Sequence, residues 1–124
     1  MCDALGNPVA FHLTQGHLHD LHGADALLPK VVGRFGALLA DRAYDAHERV
    51  VEVLLDGDVE VVIPSKINRT YRRNHDRDLY RARHLIENFF AKLKAFRAIA
   101  TRYDKRACAF LGGIYYAAAI ILLN

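Results

Sequence analysis

The sequence predicts an α/β layer fold with a mixed sheet. Three observations carry that expectation. Short apolar runs bounded by turn residues alternate with helical periodicity through the first half of the chain, the pattern of strands linked by helices. An alternating segment follows a Gly-Asn-Pro turn near the N-terminus, and a hairpin there makes the sheet mixed. The chain has 124 residues, 52% hydrophobic and 25% charged, a size and balance that suit one domain with a core of its own.

Each element follows from local pattern. "VAFHLT" (9–14) alternates as a strand does, and residues 1–5 supply a stub of its partner. "HDLHGADALLPKVV" spaces Leu21, Ala24, Leu27 and Leu28 for a short helix that ends near Pro29. Residues 37–40 of "FGALLADRAYD" form a short apolar run between Gly36 and Asp41, which fits a buried parallel strand. "DAHERVVEVLLDG" reads as a helix with apolar Val50, Val51, Val53, Leu54 and Leu55, closed by Gly57. "VEVVIPS" is a second strand stopped by Pro64. Residues 65–78 are polar, basic and aperiodic, as in an exposed loop; 79–97 have the period of one long helix, and 108–123 of a second, apolar one. The chain thus divides into a strand–helix region (1–64), a basic loop (65–79) and a helical region (80–124) of a single domain.

Charge is unevenly spread. Residues 1–63 carry four cations and ten acids, a net of −6, while residues 64–124 carry thirteen cations and four acids, a net of +9. A basic half points to a polyanionic partner, nucleic acid above all. Cys2 and Cys108 give neither a disulfide framework nor a CxxC pair, in keeping with a reduced cytoplasmic setting. The N-terminus has no charged segment leading into an apolar core, so no signal peptide is expected. The apolar 108–123 run is shorter than a membrane span needs and suits a helix packed on the core sheet; no membrane partner is expected. His12, His17, His19 and His22 crowd the early region without a partner cluster of metal-binding spacing; His19 and Asp20 suit a cap or tether for the helix that follows.

The chemistry converges on two acids among bases. On one helix at about 100° per residue, Tyr80, Arg83, Glu87 and Lys94 fall within a stripe roughly 60° wide. Ala82, Ile86, Phe89, Phe90 and Leu93 form the neighbouring apolar face, so Glu87 lies at the rim of the buried stripe. Asp41 stands directly after "GALLA", at the carboxyl end of a buried strand, where open α/β sheets bind ligands. Two such carboxylates can share divalent cations through hard oxygens, and paired metals activate a nucleophile and stabilise a leaving oxygen at a phosphodiester. Each acid also has a plainer reading: Asp41 as a helix N-cap, Glu87 as the salt-bridge partner of Arg83 one turn away. Arg69, Arg72, Arg73 and Arg77 with Tyr71 make a basic loop punctuated by an aromatic ring, suited to phosphate contact.

The spacing Tyr-(2)-Arg-(3)-Glu-(6)-Lys of Tyr80, Arg83, Glu87 and Lys94 resembles the signature of the DDE transposases of bacterial insertion sequences. "LLADRAYDA" resembles the segment with that family's second catalytic Asp, "CDALGNPVAFHLTQGHLHD" the strand pair before it, and "ATRYDKRACAFLGGIYYAAAIILL" the C-terminal end. The resemblance spans essentially the whole chain. It implies an RNase H-like catalytic domain acting in DNA transposition, by cleavage at transposon ends and joining to target DNA. It implies Asp41 and Glu87 as catalytic ligands of Mg²⁺ or Mn²⁺, with Tyr80, Arg83 and Lys94 positioning DNA phosphates or transposon end bases; the charge of the basic loop adds Arg69, Arg72 and Arg73 as DNA contacts.

One part of the pattern departs from the family. The triad's first Asp belongs on a first, central strand ahead of "CDALGNP", and neither Asp3 nor Asp20 occupies that position. The expectation is therefore a C-terminal transposase part, lacking that strand, inactive and poorly stable alone, because neighbouring strands are left with an unpaired edge. It would come from a split gene joined by frameshifting or from decay, and work with the upstream half or another transposase copy. The rival expectation is a non-catalytic DNA-binding or regulatory fragment that competes with the full-length enzyme.

Overall fold

The computed structural model describes residues 1–124. In chain order it contains α1 (Leu21–Val31), β1 (Ala37–Leu39), a 3₁₀ turn (Arg42–Tyr44), a π-turn (His47–Val51) running into α2 (Glu52–Asp56), β2 (Glu60–Val62), α3 (Arg77–Arg81), α4 (His84–Lys94), α5 (Arg97–Ala100) and α6 (Ala107–Leu123). Helices thus accompany a small parallel sheet, an α/β arrangement. Two compact units share these elements: residues 14–83 form one, and residues 1–13 with 84–124 form the other.

The unit of residues 14–83 is built on a β–α–β crossover. β1 and β2 pair in parallel, Ala37 opposite Glu60, Leu38 opposite Val61 and Leu39 opposite Val62. α1 buries Leu21, Ala24, Leu28 and Val31, the i, i+3, i+7, i+10 stripe of an amphipathic helix. Leu21, Ala24 and Leu28 pack with Val50, Leu54, Val59 and Ile63 into one core. The helix ends at Val31, close to Pro29 as expected, and the Val32 amide reaches the Leu28 carbonyl at 2.9 Å. At α1's start the Leu21 amide donates to His19 Nδ1 at 3.2 Å, so the tether expected of His19 is present. The helix expected over 45–57 begins in a wider, π-type turn before becoming α-helical. Gly57 closes it, and a Cβ at that position would come within 2.3 Å of Val32 Cγ1.

In the other unit, residues 1–10 form a hairpin with one antiparallel bridge, Cys2 to Pro8. The Asp3 carboxylate shapes its turn, accepting from the Leu5 and Asn7 amides, each at 2.9 Å, and from Asn7 Nδ2 at 3.1 Å. Gly6 takes a positive φ of 84° there, which glycine adopts without strain. The mixed sheet is not formed: the sheet has two strands, both parallel, and "VAFHLT" does not extend as a strand. Its apolar residues turn to a helical cluster instead. Phe11 and Leu13 pack against Phe89, Leu93, Ile114, Ala117 and Ala118, with Phe11 5.8 Å from the Phe89 ring and edge-on to Tyr115 at 5.2 Å. α6 thereby packs on α4, α5 and the hairpin. No helix is long and apolar enough to cross a membrane.

The single helix expected over 79–97 is three pieces, α3, α4 and α5. The first break lies at Ala82 and Arg83, whose amides bond three residues back, to Leu79 and Tyr80. This tightening ends the i→i−4 ladder. The common stripe through Tyr80, Arg83, Glu87 and Lys94 presumed one unbroken helix. Tyr80 and Arg83 instead fall at α3 and the turn after it, while Glu87 and Lys94 lie on α4.

Candidate functional site

β1 ends at Leu39, and the Ala40 amide still reaches the Val62 carbonyl at 3.4 Å. Asp41 follows at once, exposed, in extended conformation. Its Oδ1 accepts from the Ala43 amide at 2.8 Å, so the capping reading holds, for a short 3₁₀ turn rather than a helix. Capping occupies one oxygen direction and leaves the acid at the carboxyl end of the strand. Half-buried Tyr44 stands close: burial raises its phenol pKa, with Asp20 and Asp41 adding to the rise.

The same turn holds a residue that sequence reasoning missed. Asp45 is 1% exposed and is the hub of the basic loop. Its Oδ2 accepts from the Lys66 amide at 2.8 Å and from Arg69 Nε at 3.2 Å, and its Oδ1 accepts from Arg73 Nη2 at 2.8 Å. Arg69 Nη2 also donates to the Asp45 carbonyl at 3.2 Å, and the Arg73 amide donates to Ser65 Oγ at 2.9 Å. Burial alone would raise the Asp45 carboxyl, but the Lys66 amide, Arg73 and Arg69 together hold it below the ordinary carboxylate range. The loop is largely exposed as expected, but it is tied down at two of its arginines. The available signal was the spacing: "DRAYD" places a second acid four residues after Asp41, and the loop repeats arginine at 69 and 73.

Arg72 stays exposed and donates to the Ile67 carbonyl at 3.1 Å. Arg83 lies over the Tyr80 ring, its guanidinium carbon 5.6 Å from the centroid, and His75 meets the same ring edge-on at 5.4 Å. The Tyr and Arg of the spacing pattern are thus a cation–π pair. Asp41, Asp45, Arg69, Arg72, Arg73, Tyr80 and Arg83 all belong to the unit of residues 14–83; Glu87 and Lys94 belong to the other. Glu87 is exposed in the first turn of α4, where the helix dipole favours a carboxylate. Beside it Phe89 and Leu93 are buried, while Phe90, expected on the apolar face, is 45% exposed.

No three His, Cys, Asp or Glu side chains converge as a metal cluster, the early histidines included. Asp41 and Glu87 are each exposed carboxylates, the hard donor type that Mg²⁺ and Mn²⁺ take.

The description "Transposase DDE domain" matches residues 1–122. A protein of Brucella ovis that carries the name of a transposase for insertion sequence element IS6501 is 37% identical over 124 residues, covering 98% of this chain and 93% of that protein. No solved structure matches. With an acid at the carboxyl end of a parallel strand and a family match over nearly its whole length, the chain belongs to the DDE-domain transposases.

Proposed function

We propose that residues 1–124 are part of an RNase H-like catalytic domain that carries out DNA transposition, cleaving transposon ends and joining them to target DNA. The observation that carries this reading is Asp41 at the carboxyl end of β1 in a chain that matches the DDE domain. Asp41 and Glu87 would hold Mg²⁺ or Mn²⁺, which when bound supplies an activated nucleophile and stabilises charge on the phosphodiester. The chain's own residues do the rest. The Ala43 amide holds the Asp41 carboxylate in place. Tyr80 and Arg83, stacked on each other, and Lys94 grip the backbone beside the scissile group. Arg69, Arg72 and Arg73 form a further contact, presented by the Asp45 anchor. Its place of action is the cytoplasm, on chromosomal DNA.

Neither early acid serves as the first member of the triad. Asp3 is spent on its hairpin turn, and Asp20 stands at the start of α1. On this reading the first Asp lies outside residues 1–124, which do not cut DNA by themselves. The test supplies the upstream segment in trans with Mg²⁺ and a labelled transposon end. Cleavage is expected only with both parts present and is abolished by Asp41→Ala or Glu87→Ala; cleavage that survives either substitution sinks the assignment.

A further inference from the structure

An open cleft of roughly 420 Å³ lies beside the Asp45 anchor, and Arg42, Arg72, Arg73, Arg77, Ser65 and His75 are among its lining residues. Arg42 comes just after β1 and Ser65 just after β2, so the cleft opens off the carboxyl ends of both parallel strands, where such sheets place their ligands. Four arginines line this space. Like charges so gathered repel unless anions lie between them.

The protein's own acids do not supply those anions. Asp45 neutralises Arg73 from the buried side. Asp41 and Asp76, which precede Arg42 and Arg77 in the chain, bond to backbone amides: Asp41 to Ala43, Asp76 to Asp78 and Leu79. Asp78 pairs outward with Arg81 at 3.1 Å. Arg42 and Arg77 form no ion pair. Arg73, which lines the same cleft, also has a buried Nε that meets no acceptor.

We propose that this cleft binds the phosphodiester backbone of DNA, with Arg42 and Arg77 as its free cations and Arg73, locked by Asp45, as its floor. This rests on the DNA-directed reading above and adds Arg42, Arg77 and His75 to the residues assigned there. Guanidinium groups match phosphate oxygens in pairs, and contacts to the phosphate backbone carry no sequence information of their own.

The experiment measures binding of the 124-residue chain to labelled duplexes of two unrelated sequences by fluorescence anisotropy, in EDTA, across a range of salt. Arg42→Gln/Arg77→Gln is expected to reduce the slope of log affinity against log salt by about two, one for each lost phosphate contact, equally for both sequences and with an unchanged circular dichroism spectrum. Arg34→Gln, an exposed arginine outside the cleft, is expected to leave the slope in place. The proposal is overturned if the double variant keeps the wild-type slope, if Arg34→Gln lowers it as much per charge, or if the wild-type chain binds neither duplex. It is also overturned if inorganic phosphate binds the wild type but not the double variant while DNA binding is the same in both, since the site would then take free phosphate. Because no metal is present, the outcome is separable from cleavage. A complemented chain that cuts DNA yet shows no slope change refutes the cleft alone, and a slope change without any cutting refutes only the catalytic reading.

Discussion

At the scale of single residues, Asp45 carries the clearest energetic consequence. Removing one partner of a buried ion pair strands the others, and Asp45→Ala leaves Arg69, Arg73 and the Lys66 amide unanswered. A loss of about 3 kcal/mol in urea unfolding is expected, the low end for a buried pair because both arginines keep some contact with water. The pH dependence has a definite sign. Asp45 has a lowered folded-state pKa, so its contribution is in place above the unfolded-state pKa of about 3.9 and fades as pH falls through the folded value. Wild-type stability should therefore drop below about pH 4, and Asp45→Asn should flatten that part of the profile; an equally steep acid limb in the variant would contradict the assignment. Asp3 and Asp25, also lowered by their hydrogen bonds to Asn7 and Arg49, act in the same direction. Gly57 poses a steric question instead. An alanine there must displace the stiff side chain of Val32, and about 1–3 kcal/mol of destabilisation is expected from the overpacking.

At the scale of elements, the sequence was legible where local apolar pattern governs a segment and opaque where a distant partner decides. The apolar runs of β1, β2 and α6 and the spaced apolar positions of α1 show in the sequence, and each element formed within a few residues of the expected bounds. The long helix did not, because apolar spacing continues across Ala82 and Arg83 while the backbone ladder tightens there. Asp76 contributes to where α3 starts: its side chain accepts from the Asp78 and Leu79 amides at 2.8 and 2.9 Å. Asp76→Ala should cost about 1 kcal/mol, read as faster hydrogen exchange at Asp78 and Leu79; unchanged exchange would show that the start of α3 is fixed elsewhere. Of the candidate site, Asp41 and the Tyr80–Arg83 pair could be found by spacing. Asp45 carried only a weak signal, the second acid of "DRAYD" and the repeated loop arginines, because those arginines lie 24 and 28 residues away and no local pattern joins them to it.

At the scale of the whole molecule, the sheet is the weak point. Two strands of three residues each make the only ladder, and their outer edges carry unpaired backbone groups. Circular dichroism of the 124-residue chain should show a melting midpoint below about 60 °C, the upper part of the range for mesophilic domains; a cooperative transition above that would contradict this expectation. The bonds from Asp45 to the 65–73 loop have a consequence for engineering and for descent. The Asp41 turn and the arginine loop are not interchangeable parts. A chimera that imports the loop of a relative without the matching residue at position 45 inherits unanswered charge, whereas one that imports both carries a working cassette. Recombination between related elements should therefore tolerate crossovers before residue 41 or after residue 73 far better than any crossover between them.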